Sequence, residues 1–135
     1  MNVMRDVLAS QAALAEKKAK EEEKSREECW RTRFHIMPPA GWLNDPNGLC
    51  QYQGKYYFFF QYAPFSPYGG LKFWGLYTSE DLTDWSYQGI VLYPDSPWDC
   101  HGVYSGSAFT EDGELELFYT GNVKLEGDYD YIDNG

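Results

Sequence analysis

The chain has 135 residues, enough for one domain at most or one piece of a larger one, and its net charge of −10 is unevenly spread. Residues 1–33 hold eight Lys/Arg against seven Asp/Glu and a single aromatic, Trp30, whereas residues 34–135 hold three against fourteen and carry 24 of the 25 aromatic side chains. So acidic a body excludes a nucleic acid backbone as partner, which needs clustered Lys and Arg, and no apolar run is long enough to span a membrane.

Cys29, Cys50 and Cys100 are odd in number and widely spaced, which gives neither a disulfide framework nor a metal-ligand pattern and favours a reducing compartment. The N-terminus has no basic segment followed by an apolar core of the secretory kind, so a cytoplasmic location is expected.

In chain order, residues 3 to about 30 lack Gly and Pro and are rich in Ala, Glu, Lys and Leu, which predicts one helix. Val3, Val7 and Leu14 follow a loose helical spacing. Glu16 and Lys20 form a favourable i,i+4 pair, while Lys20 and Lys24 repel mildly. The expected role of this charged arm, residues 1–33, is a solvated extension. Paired prolines follow, and then "GWLNDPNG", residues 41–48, whose Asx-Pro and Asn-Gly steps have the letters of a tight turn.

From Leu49 the period becomes strand-like. "LCQY" and "KYYFFFQY" flank a hairpin turn at Gln53-Gly54, "KFWGLYTS" is a third strand ended by "EDLTD", and "WSYQGIVLY" is a fourth. "GVYSGSAFT" turns at residues 111–114 and returns as "LELFYTGNV". Four antiparallel strands followed by the start of a second set predict an all-β fold, a propeller blade plus part of the next. A lone blade would leave large apolar faces in water, so residues 34–135 are expected to be the N-terminal part of a truncated propeller domain.

An acidic, aromatic body suits neutral sugars, which are held by ring faces and carboxylate hydrogen bonds. The motifs sharpen this. "RTRFHIMPPAGWLNDPNG", a strand ending in Gln61, "FWGLYTSEDLTDW" and "YSGSA" occur in that order, and together they resemble glycoside hydrolase family 32 over roughly residues 31–122. The resemblance implies a five-bladed β-propeller, reached after an N-terminal α-helical arm, with its site on the innermost strands. It also implies a retaining hydrolysis of terminal β-fructofuranosides such as sucrose or sucrose 6-phosphate, with no metal or organic cofactor. Asp45 matches the family's nucleophile. Trp42, Asn44, Gln61, Trp74, Tyr104 and Ser105 match positions that bind the sugar.

The chemistry is coherent. One carboxylate attacks an oxocarbenium-like anomeric carbon while a second carboxylic acid protonates the leaving oxygen. Pro46 restricts the backbone beside Asp45. Three positions depart from the family pattern: Leu43 for Met, Ala63 for Asn, and Leu76 for the His of Trp-Gly-His. The family's acid/base Glu, in a Glu-Cys pair, and its Arg-Asp-Pro segment are absent after Asp45; Glu28-Cys29 lies upstream in the helix. The chain by itself is therefore expected to be inactive or nearly so, since general acid catalysis contributes about 10²–10⁴-fold. Two rivals stand beside this reading: a propeller hydrolase of pentose-containing glycans that inverts configuration, and a non-catalytic fragment that at most binds sugar.

Among the remaining residues, the aromatic run Tyr56–Phe60 and Trp85 read as blade packing, and His35 as a structural hydrogen-bonder. Trp98-Asp99 reads equally as pocket rim or loop anchor, and Glu111, Glu114 and Glu116 as a solvated hairpin.

Overall fold

The computed structural model describes residues 2–24, 32 and 35–125. Helix α1 (Val3–Lys24) is followed by strands β1 (Trp42–Tyr52), β2 (Lys55–Ala63), β3 (Phe73–Ser79) and β4 (Ser86–Leu92), then β5 (Val103–Glu111) and β6 (Glu114–Gly121). The first four strands make one antiparallel sheet in the order β1-β2-β3-β4, and β5 and β6 pair as a separate hairpin. Glu28-Cys29, Trp30 and the acidic stretch 126–135 lie outside the described residues.

Both predicted hairpin turns form. Gln53 and Gly54 have φ of 48° and 78°, Asp112 and Gly113 φ of 51° and 82°, and each pair joins directly opposed residues (Tyr52 with Lys55, Glu111 with Glu114). Positive φ at both central positions gives a backbone twist that matches the twist of the flanking strands.

Strand alternation divides the aromatic run between two cores. Phe59, Trp74 and Leu76 face the second sheet and pack with Val103, Ala108, Leu115 and Leu117. Phe60, Tyr62 and Phe73 face the other way and pack with Leu8 of α1. Phe60, Tyr62, Phe73 and Trp74 are fully buried. Burying a side chain of this kind contributes roughly 1.5–3 kcal/mol, so a few such positions are enough to fix the register of both faces.

The helix differs from its sequence reading. It forms, but its first half is no solvated extension. Leu8 and Ala12 are buried, whereas Val3, Val7 and Leu14, the residues with a loose helical spacing, are exposed. The true inner face runs Arg5, Leu8, Ala12, Glu16. Arg5 pairs with Asp95 at 2.5 Å and lies 5.7 Å from the Tyr93 ring. Glu16 accepts hydrogen bonds from Tyr62 (3.1 Å) and Tyr87 (2.7 Å). Glu16 therefore serves the sheet rather than Lys20, and the i,i+4 pairs seen are Lys17–Glu21 and Lys18–Glu22, both exposed. A face made of one Leu, one Ala and two charged residues leaves almost no hydropathy signal.

This contact has a pH dependence. Burial first, and then the charge and hydrogen bond of Glu16, push the Tyr62 phenol well above its ordinary value of 10.0; Tyr87 shifts the same way by burial and the same carboxylate. A raised folded-state value means that the contribution is intact below about pH 10, where unfolded tyrosine ionises, and is lost as pH rises past it. The urea midpoint should therefore fall steeply above that pH, and less steeply in Glu16→Gln. Parallel profiles for the two proteins would refute this role for Glu16.

Candidate active site

Asp45 does not sit in a tight turn. The segment "NDPNG" belongs to β1, and what looked like turn chemistry is bulge chemistry. Pairing with β2 runs Trp42 to Ala63 and Leu43 to Tyr62, then jumps to Pro46 opposite Phe60. Asn44 and Asp45 thus share the single partner position of Gln61, and a second shift falls between Asn47 and Cys50. An extra residue bends a strand and re-aims its side chains, which is how the carboxylate leaves the pleat. Pro46 fits because it has no N–H to give to a ladder already interrupted.

The facing strand has the same device. β5 pairs Tyr104 with Thr120 and then Gly106 with Tyr119, which leaves Ser105 as the extra residue. The two distorted points meet: the Ser105 hydroxyl donates to Asp45 Oδ2 at 2.6 Å. One residue further along β5 and two further along β1, the Gly106 N–H donates to Asn47 Oδ1 at 3.3 Å. Asp45 is therefore a carboxylate on the first sheet oriented by a hydroxyl from the second.

Around it, the Asn44 side-chain amide donates to Gln61 Oε1, and Gln61 is buried. Asn44 Oδ1 and Asn47 Nδ2 are buried with no hydrogen-bond partner among the described residues. Such atoms are rare in folded proteins because each costs desolvation energy, so two beside an exposed carboxylate mark polar capacity held ready. Trp42 is 40% exposed, and the Lys72 ammonium lies 5.9 Å from its ring centroid. Burial pushes the Lys72 ammonium down, the Asp45 charge acts in the opposite sense, and Lys124 adds to the lowering.

Five of the six sugar-binding candidates, Trp42, Asn44, Gln61, Tyr104 and Ser105, lie in or beside this cluster. Trp74 does not offer a face to a ligand. It is fully buried between the sheets, where its indole N–H donates to the Tyr104 carbonyl at 3.1 Å. It pins the backbone next to Ser105, and a motif letter carries no information about depth.

The open choice for Trp98-Asp99 divides between the two residues. Asp99 is a loop anchor, 1% exposed, accepting from the Ser96 N–H and the Tyr119 hydroxyl, both at 2.8 Å, while Trp98 is exposed. His35 is exposed, and its carbonyl accepts from the Thr32 hydroxyl at 2.8 Å. Asn47, Lys72 and Lys124 went unassigned in the sequence. The available signal was charge: Lys55, Lys72 and Lys124 are the only Lys or Arg after residue 34, and Lys72 comes to this site, over the Trp42 ring. Among the described residues no three His, Cys, Asp or Glu gather as a metal site, and no helix is long and apolar enough to cross a membrane.

A carboxylate oriented from two sheets, beside amides and an exposed indole, offers polar and ring contacts to a ligand, and comparison with known proteins gives the family. The family model for the N-terminal domain of the glycosyl hydrolases of family 32 matches residues 35–132, and the chain belongs to that family. It is 53% identical over 94 residues to sucrose-6-phosphate hydrolase of Bacillus subtilis (strain 168), which covers 70% of this chain and 20% of that protein. Among solved structures, sucrose-6-phosphate hydrolase from Lactobacillus gasseri superimposes with a TM-score of 0.76 at 40% identity, over 84% of this chain and 23% of that one. A Bombyx mori family 32 β-fructofuranosidase variant in complex with sucrose matches with a TM-score of 0.72 at 30% identity, over 88% and 25%. The chain thus spans about a fifth of the length of the curated relatives it matches. Its two sheets are the first blade and part of the second of the β-propeller these glycosidases share.

Proposed function

We propose that this chain carries the nucleophile-bearing, fructose-holding portion of a retaining β-fructofuranosidase acting on sucrose-type substrates. The observation that carries the reading is the 2.6 Å hydrogen bond from Ser105 to Asp45, made between bulges on two different sheets. With Oδ2 held by Ser105, Oδ1 attacks the anomeric carbon of the fructosyl unit. A carbon–oxygen bond to Asp45 forms as the bond to the glycosidic oxygen breaks, and that oxygen takes a proton from an acid that this sequence does not supply. Water then releases fructose with overall retention. Trp42, Asn44, Gln61 and Tyr104 line the fructose pocket, and Trp74 positions the strand that bears Ser105. Kinship to sucrose-6-phosphate hydrolases favours fructosides over pentose-containing glycans.

The test is a hybrid in which residues 35–132 replace the matching segment of the Bacillus subtilis enzyme, which then supplies the acid. The hybrid should cleave sucrose and release fructose first as the β anomer, followed by proton NMR before mutarotation. Release as the α anomer would mean inversion and defeat the proposal.

A further inference from the structure

The Asn44-Asp45 bulge lies between two regular rungs of the β1–β2 ladder, Leu43 opposite Tyr62 and Pro46 opposite Phe60. The ladder is broken at the extra residue, so the shape of the bulge depends on how firmly the flanking rungs are held. Here both are held from behind. Phe60 and Tyr62 are fully buried on the face turned away from the second sheet, and Leu43 packs against the same cluster. Phe60 is also wedged against β3, where a Cβ at Gly75 would lie 2.3 Å from its ring atom Cζ.

Helix α1 closes that cluster. Leu8 completes its apolar part, and Glu16 adds a carboxylate. One oxygen, Oε1, accepts from two strands at once: from Tyr62 of β2 at 3.1 Å and from Tyr87 of β4 at 2.7 Å. Both bonds are charge-assisted and therefore stronger than bonds between neutral groups. Near the other end of the helix, Arg5 pairs with Asp95, and the Asn2 side-chain amide donates to the Asp95 carbonyl at 3.3 Å. That second anchor ties the helix to the loop after β4 rather than to β2. All of these helix residues precede 35–132, the stretch that carries the family match.

Resting on the fructosidase reading above, we propose that α1 is a brace for the nucleophile: Glu16, through Tyr62, holds the rung that sets the position of Asn44 and Asp45. Glu16 is a positioning residue and touches no substrate. Without it, the hydrogen bond from Asn44 to Gln61 and the aim of Asp45 are disturbed.

The test compares Tyr62→Phe with Tyr87→Phe in the 135-residue chain. Each removes one hydroxyl from the same Glu16 oxygen and keeps its ring, so a general weakening of helix docking affects both alike. Only Tyr62 stands beside the bulge. The readout is the side-chain amide signals of Asn44 and Gln61 by heteronuclear NMR, with urea midpoints measured alongside. Tyr62→Phe should move or broaden these signals, and Tyr87→Phe should leave them in place. Glu16→Ala should act as Tyr62→Phe does and more strongly. Glu16→Gln, whose amide oxygen still accepts, should restore the native signals. The tyrosine pair decides the matter by itself should Glu16→Ala not fold. Native signals in Tyr62→Phe, or equal changes in the two tyrosine variants, would overturn the brace.

In a hybrid enlarged to residues 1–132, Tyr62→Phe should also lower kcat for sucrose about tenfold, within the range expected for a misplaced reacting group, with little change in KM. Unchanged kcat there would show that the brace does not reach the chemistry. A hybrid inert toward sucrose, with the NMR contrast intact, would count against the fructosidase reading and leave the brace standing.

Discussion

In the hybrid enzyme, Asp45→Asn should lower kcat for sucrose by on the order of 10⁴-fold, a loss of about 5.4 kcal/mol of transition-state stabilisation. The substitution is nearly isosteric. An amide oxygen can still accept the Ser105 hydrogen bond, so the geometry between the sheets survives. What disappears is the charge that, in the proposed mechanism, forms the bond to the anomeric carbon, and an amide does not replace it. KM should change little, because the proposed fructose contacts, Trp42, Asn44 and Gln61, are untouched. Steady-state kinetics with a circular dichroism control decide the matter. Retention of a tenth or more of the activity would remove Asp45 as nucleophile.

The second large effect concerns Gly106. The bulge that projects Ser105 requires the chain to pass very close to β6. A Cβ at Gly106 would lie 1.9 Å from the Phe118 carbonyl oxygen and 2.7 Å from the Tyr119 Cα, far inside van der Waals contact. Both are backbone atoms, so no side chain can rotate away and the hairpin itself must open. Gly106→Ala should therefore cost about 3 kcal/mol, the upper range for overpacking, and in the hybrid it should also reduce activity by displacing Ser105 from Asp45. Ser107→Ala, one residue on and exposed, should fall within about 0.5 kcal/mol of the native value. Urea unfolding of the three proteins makes the comparison. Equal midpoints for the native protein and Gly106→Ala would show that β6 yields freely and that the close approach is not a constraint.

The strands, their order and both hairpins were legible because alternation and Gly-containing two-residue turns are local signals. Asp45 was legible through its motif, but its placement was not. Asn-Asp-Pro-Asn-Gly contains the residues that tolerate irregular backbone, and turns and bulges draw on the same letters; only the pairing with Phe60 and Phe59 tells them apart. The packing of α1 was missed because Ala12 and Glu16 do not look like a packing surface until Tyr62 and Tyr87 stand opposite. Trp74 was assigned to the sugar because a matched letter gives identity without depth. Lys72 lies in no motif, and only the fold brings its ammonium over the Trp42 ring.

Among the described residues β1 is also the free margin of its sheet, beyond which no further strand of that sheet pairs. An open margin of regular backbone is a template for strands from other molecules and a common origin of aggregation. Here two register breaks and the absent N–H of Pro46 interrupt the row of donors and acceptors that an incoming strand would need. The distortions that carry Asp45 out of the pleat thus also protect the chain from self-association along that margin. A variant that restored regular pairing by deleting one residue of the Asn44-Asp45 bulge should lose solubility, and in the hybrid enzyme it should lose activity as well.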